Sequence, residues 1–183
     1  MKKSQSKIQS GYIKLVLIVT IVAVACVGGL IVWQTRPAKV VSDKQADFID
    51  GIERRSAARM RRLVAESYGD RWGFDRDDIV MSIVDLGSQF MTLVVTPENQ
   101  TLSIDESVAT VTLSVTLGGR SVGPGGGEVT RRINQLDDPF VFTWEKESFL
   151  PTSWRLVRIE QPELPDELFG YEPGDIRRAM GGE

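Results

Sequence analysis

The chain has 183 residues, of which 42% are hydrophobic and 26% are charged, and it contains no histidine and one cysteine. This length holds one ordinary domain and a short appendage. The missing histidine excludes a Ser-His-Asp triad and histidine-ligated zinc, and the single cysteine excludes an intrachain disulfide. Four of the 22 basic residues and none of the 25 acidic ones precede residue 34. The remainder is therefore acidic, which argues against a nucleic-acid partner.

An uncharged apolar run extends from Leu15 to Trp33. As a helix it would span roughly 28 Å, which matches the hydrocarbon core of a bilayer. A cleaved signal peptide and a lipoprotein cut before Cys26 are the alternatives, but the run continues apolar beyond that cysteine. We therefore predict an integral, single-pass membrane protein with a basic flank at 1–14, a transmembrane helix at 15–33 and a linker at 34–42.

The charges beside this run predict its orientation. Four lysines precede the run and three basic residues follow it closely, namely Lys2, Lys3, Lys7 and Lys14 before it and Arg36, Lys39 and Lys44 after it. Cytoplasmic flanks carry the excess of lysine and arginine. We expect a cytoplasmic N-terminus and an external domain, which would be periplasmic in a bacterium.

Helical periodicity dominates the first part of the predicted domain. Apolar residues recur at helical spacing from Ser42 to Gly69, which predicts one long helix. Asp75 is a good N-cap for a second helix that reaches Phe90. The long helix carries five arginines, Arg54, Arg55, Arg59, Arg61 and Arg62. They could bind anionic lipid headgroups, but they point in several directions, so we favour a solvated face that pairs with carboxylates.

The second part reads as a sheet of about five antiparallel strands. The predicted extended segments are Met91–Thr96 and Asn99–Ile104 on either side of Pro97, then Val108–Leu117, Glu128–Ile133, Phe140–Glu147 and Trp154–Gln161. The Gly118–Gly127 stretch lacks the Lys-Ser/Thr of a phosphate-binding loop, so it predicts a flexible hairpin connection. Residues 162–183 form a Pro- and Gly-rich tail, from which Leu168, Phe169 and Tyr171 are expected to dock on the domain.

This order of elements resembles the nuclear transport factor 2-like (cystatin-like cone) superfamily over residues 43–161. The segments that carry the resemblance are Ile79–Phe90, Ala109–Leu117 and the closing Trp154–Ile159, and the end of the domain is similar to uncharacterised bacterial members that are membrane-anchored. The resemblance implies an α+β fold in which helices pack on a curved antiparallel β-sheet. It implies no activity, because members include enzymes, binders and assembly subunits.

Three functions are compatible with the sequence. The first is a protein-interaction or assembly module in the cell envelope, tethered to the membrane and bound to a protein partner or to itself. The second is a pocket for a small apolar ligand, binding or enzymatic, and the third is a plain structural domain with a dimerising helix. No catalytic pair, metal site or cofactor site stands out, so the sequence favours a function other than catalysis. A pocket would be lined by six aromatic residues, Tyr68, Trp72, Phe74, Phe90, Trp144 and Trp154, unless these simply form the core.

Overall fold

The computed structural model describes residues 36–164 and 171–175. The predicted basic flank and transmembrane helix lie outside these residues, as do Leu168 and Phe169. None of the helices in the described part of the chain is long and apolar enough to cross a membrane. In chain order the elements are α1 (Pro37–Glu53), α2 (Ala57–Arg61), α3 (Arg76–Ser88), β1 (Phe90–Asp105), β2 (Val108–Ser121), α4 (Pro124–Ile133), β3 (Phe140–Lys146) and β4 (Trp154–Glu160).

The four strands form one antiparallel sheet in the order β1-β2-β3-β4. Its helix-covered face is apolar because β2 alternates, with Ala109, Val111 and Leu113 fully buried on one side. Helix α1 lies over this face, and the Phe48 ring meets the Phe142 ring of β3 edge-on at 6.3 Å between centroids. The predicted α+β class, with helices packed on an antiparallel sheet, is confirmed.

The predicted cap of α3 is also confirmed. The Asp75 carboxylate accepts hydrogen bonds from the backbone N–H groups of Asp77 at 2.8 Å and Asp78 at 2.9 Å. The Asp78 carboxylate in turn accepts from the backbone N–H of Asp75 at 3.3 Å, which completes a capping box. These bonds satisfy donors that have no partner inside the helix.

The single helix predicted from Ser42 to Gly69 is wrong. Helix α1 begins earlier, at Pro37 in the predicted linker, and the chain leaves it at Arg55, whose φ of 52° is left-handed. The Arg55 guanidinium donates to the backbone oxygen of Phe90 at 2.7 Å. Helical periodicity continues across this break because α2 resumes on the same side of the sheet.

Residues 63–65 then run beside the outer edge of β4, and a turn follows at residues 66–67. The backbone N–H of Leu156 donates to the Leu63 oxygen at 2.9 Å, and the N–H of Ala65 donates to the Leu156 oxygen at 2.9 Å. Val64 forms a parallel bridge with Leu156. Hydrogen bonding to β4, rather than to a helix turn, therefore fixes this segment.

The predicted hairpin at 118–127 and the strand at Glu128–Ile133 are wrong as well. Residues 118–121 continue β2, and α4 follows, with Pro124 in its first turn, where a proline is readily accommodated. A Cβ on Gly126 would lie 2.6 Å from the backbone oxygen of Gln89. The glycines thus allow a helix to approach the β1 end closely, and four strands form instead of five.

Strand β1 is continuous, although the sequence predicts an interruption at Pro97. Pro97 pairs with Val115 of β2, and the register of the β1–β2 pairing shifts between Glu98 and Thr101. The backbone N–H of Val95 donates to the Glu53 carboxylate at 2.8 Å. The strand accommodates the proline because its other edge faces no strand.

Candidate functional site

A cavity of about 390 Å³ lies between the sheet and helices α1, α3 and α4. Sites for small molecules generally have volumes of about 300–1,000 Å³. Apolar side chains from every surrounding element line it, including Phe48 and Ile52 of α1, Ile83 of α3, Val115 and Leu117 of β2 and Val129 of α4. The space between the sheet and these helices is therefore not filled by the protein's own side chains.

The cavity arises because β1 and β2 are longer than β3. The last β2–β3 pair joins Leu113 to Phe140, so β2 continues beyond it with β1 alone. Inward-facing Val115 and Leu117 then lack a β3 neighbour, and α4 covers this region instead. The Asn134 side chain makes the hydrogen bonds that a neighbouring strand would otherwise make with Leu117. It donates to the Leu117 oxygen at 2.9 Å and accepts from the Leu117 N–H at 2.7 Å.

Hydroxyl groups enter this apolar wall from Ser82 of α3 and from Tyr171 of the C-terminal tail. The Tyr171 hydroxyl donates to an oxygen of the Asp85 carboxylate at 3.2 Å, and Asp85 is fully buried in α3. The Ser82 hydroxyl donates to the Asp78 backbone oxygen at 2.8 Å. These hydroxyls bond within the protein, so the surface that the cavity presents is almost entirely apolar. The expected docking of Tyr171 on the domain is confirmed.

Burial raises the pKa of Tyr171 to about 12, and the charge of Asp85 contributes to that rise. In the unfolded chain a tyrosine titrates near pH 10. The folded state therefore keeps a proton that the unfolded state loses. We expect the stability contributed by this group to be complete below about pH 10 and to be lost as the pH rises towards about 12.

The measurement is the free energy of unfolding as a function of pH, for wild type and for Tyr171→Phe. The variant should lose less stability between pH 10 and 12 than wild type. Burial also raises the pKa of Tyr68, so Tyr68→Phe serves as a comparison that leaves the Tyr171 contribution in place. Equal pH slopes for wild type and Tyr171→Phe would contradict the expectation.

The six aromatic residues proposed as pocket lining occupy two places. Trp72, Phe74 and Phe90 lie along the cavity. Trp144 and Trp154 are 0% and 1% exposed and belong to the core beside it. The remaining one, Tyr68, is buried in the same core and donates to the Asp70 carboxylate at 2.8 Å.

The five arginines do not form one surface. Arg54 and Arg59 both pair with Asp50, the first at 2.7 Å. Arg61 pairs with Asp77 of α3 at 2.8 Å, and Arg62 follows the last residue of α2. The fifth, at position 55, donates to backbone oxygens at the start of β1. Neighbouring carboxylates thus engage three of the five.

A metal centre is not evident in residues 36–164 and 171–175, where no group of three histidine, cysteine, aspartate or glutamate residues could hold a metal ion. The side chains around the cavity that carry oxygen are Ser82, Tyr171 and, behind it, Asp85. These oxygens bond within the protein, so the walls offer a bound molecule almost only apolar surface.

No protein-family model and no curated protein matches this chain. Among solved structures, it is similar to an NTF2-like protein from Cytophaga hutchinsonii, with 12% identity, coverage of 67% of this chain and 93% of that chain, and a TM-score of 0.46. A proposed dehydratase of the NTF2-like family from Streptomyces avermitilis has 11% identity, coverage of 67% and 93%, and a TM-score of 0.49. A protein of unknown function with a cystatin-like fold from Nostoc punctiforme has 13% identity, coverage of 68% and 91%, and a TM-score of 0.47. These three solved structures have NTF2-like or cystatin-like folds.

Proposed function

We propose that the domain binds a small, apolar ligand. The observation that supports this is the 390 Å³ cavity with almost entirely apolar walls. Apolar surface that leaves water contributes about 25 cal/mol per Å².

The test is carbene labelling of the full chain in bilayer discs with an adamantane diazirine, followed by mass spectrometry of the labelled peptides. A probe of this kind reacts wherever it resides, so it marks the cavity and reports the lipid-embedded part separately. Wild type should be labelled on the cavity faces of α3 and β2. Labels confined to the lipid-embedded part would contradict the proposal.

A matched pair of variants sharpens this test. Val115→Trp places an indole inside the cavity, and we expect it to reduce cavity labelling by at least about tenfold, equivalent to 1.4 kcal/mol of lost affinity. Thr116→Trp adds the same ring at the next residue, which is exposed on the other face of β2. Its labelling should equal that of wild type, and an equal loss in both variants would show that the cavity is not the binding site.

We further infer that a single uncleaved helix at 15–33 tethers the domain outside the membrane, in the periplasm if the host is bacterial. The uncharged run Leu15–Trp33 supports this, as does the excess of lysine before it. A tethered domain is also suited to assembly with a protein partner or a second copy. Crosslinking in the membrane, followed by affinity capture, distinguishes assembly with a protein partner from assembly with a second copy. A different protein recovered in near-equal amount favours a protein partner, and crosslinks between copies of this chain favour self-association.

A further inference from the structure

The turn between β3 and β4 displays two adjacent large apolar side chains to solvent. Phe149 is 88% exposed and Leu150 is 51% exposed. Burying a side chain of this size stabilises by about 1.5–3 kcal/mol relative to leaving it exposed. A single exposed apolar residue is ordinary. Phe149 and Leu150 together form an exposed apolar surface at the tip of the turn, which is suited to contact with another apolar surface.

Hydrogen bonds hold this turn in one conformation. The Ser153 hydroxyl donates to the backbone oxygens of Ser148 and Leu150 at 2.8 Å each. It also accepts from the backbone N–H of Ser148 at 3.1 Å. The backbone N–H of Ser153 donates to the Leu150 oxygen at 3.1 Å. The apolar tip is thus ordered before it binds, which reduces the entropy lost on contact.

The tip lies at the end of the sheet where α1 begins. Along α1, Gln45 accepts a hydrogen bond from the Trp144 indole at 2.9 Å, and Glu53, eight residues on, reaches Val95 towards the other end. The residues of α1 before Gln45 therefore extend towards the end of β3 and its turn. Burial and the nearby charge of Arg155 lower the pKa of Lys44, and the charge of Glu147 in the turn opposes this lowering. Lys44 of α1 therefore lies near the turn.

The predicted span ends at Trp33, and α1 begins at Pro37. A connection this short reaches at most about 14 Å when fully extended. If the proposed tether is present, the end of the domain that carries the tip must therefore lie close to the bilayer surface. Charges of both signs lie nearby, and two ion pairs among them join Lys39 to Asp43 at 2.8 Å and Arg155 to Glu147 at 3.7 Å.

We propose that Phe149 and Leu150 insert into the interfacial region of the bilayer beside the anchor and so fix the orientation of the domain. This inference rests on the proposed tether. Because the anchor already holds the domain at high effective concentration near the lipid, a weak contact is sufficient. Because residues 147–153 contain no basic side chain, the contact is apolar and should persist at high salt, unlike the binding of a basic patch to anionic lipid.

The test measures how deeply a spin label lies in the membrane, with the full chain in phosphatidylcholine vesicles. A nitroxide on Thr152→Cys, in a Cys26→Ser background, should be several times more accessible to oxygen, relative to a nickel chelate, than a nitroxide on Val122→Cys. Val122 is 62% exposed and follows β2 at the opposite end of the sheet. Adding Phe149→Ser and Leu150→Ser should return the label at 152 to the aqueous value, and adding Val122→Ser should not.

A nitroxide on the natural Cys26 separates the two proposals. If Cys26 lies in the bilayer and the label at 152 is aqueous, the lipid contact is overturned and the tether stands. If Cys26 itself is aqueous, both are overturned. If the labels at 152 couple to each other more strongly as protein is concentrated in the vesicles, a second copy covers the tip and the lipid contact is likewise overturned.

Discussion

Replacing Trp144 with alanine is expected to lower the free energy of unfolding by about 3–5 kcal/mol. Trp144 is fully buried between β3 and α1, and its indole N–H donates to the Gln45 side-chain oxygen at 2.9 Å. The substitution removes one of the two largest fully buried side chains of the core and leaves a cavity behind it. A domain is generally stable by only about 5–15 kcal/mol, so this loss should be evident in a urea unfolding curve followed by circular dichroism.

Trp144→Phe is the control, because it keeps a ring and removes the N–H donor. Gln45 is fully buried, and its amide nitrogen has no hydrogen-bond partner among the described residues. The control then leaves its oxygen without a partner as well, at a cost of about 1–3 kcal/mol. If the phenylalanine variant loses as much stability as the alanine variant, the buried hydrogen bond rather than packing dominates at this position.

Gly119→Ala is expected to disrupt the β1–β2 pairing beside the cavity. Gly119 has a φ of 116°, a backbone conformation that residues other than glycine rarely adopt. A Cβ there would collide with the backbone oxygen of Thr92. Backbone strain of this kind costs about 1–3 kcal/mol, and the collision adds to it. We expect a large loss of stability in the same unfolding measurement, and weaker carbene labelling of the cavity.

The neighbouring glycine provides the matched control. Gly118 lies in the same strand, but a Cβ added to it would meet nothing within 4 Å, and its φ is not positive. Gly118→Ala should change the free energy of unfolding by no more than about 0.5 kcal/mol. Comparable losses for both variants would mean that the strand tolerates no side chain here, whatever the conformation of position 119.

Elements whose cause is local could be predicted from the sequence. The Asp75 cap and the apolar spacing after it predict α3, because the cap satisfies donors within three residues. The alternation from Ala109 to Leu117 predicts β2, because one face of the sheet is buried. The β3 and β4 predictions are confirmed within one residue at the C-terminal end for the same reason.

Elements whose cause is distant could not be predicted. The break after α1 depends on Arg55, which donates to the oxygens of Phe90 and Met91 more than thirty residues away. Helix α4 contains a run of glycines that disfavours a helix in isolation. It forms because Asn134 bonds to Leu117 and because Gly126 fits against the end of β1.

The candidate site divides in the same way. Aromatic content points to Trp72, Phe74 and Phe90, which lie along the cavity, but it cannot separate them from aromatics of the core. The aliphatic wall was missed, because its inward-facing residues look like any core strand. Ser82 and Asp85 were missed as well, and the only signal was their spacing on the inward face of α3 beside Ile79 and Ile83.

Both outer strands of the sheet are unsuited to pairing with another molecule. On one side, residues 63–69 bond to the backbone of Leu156 and Val157 in the middle of β4. On the other side, the Val95 N–H is taken by Glu53, Pro97 offers none, and the register shift before Thr101 makes the edge of β1 irregular. Native sheets resist edge-to-edge aggregation by such means. Copies of this domain brought close together would therefore meet through other surfaces rather than by joining their sheets.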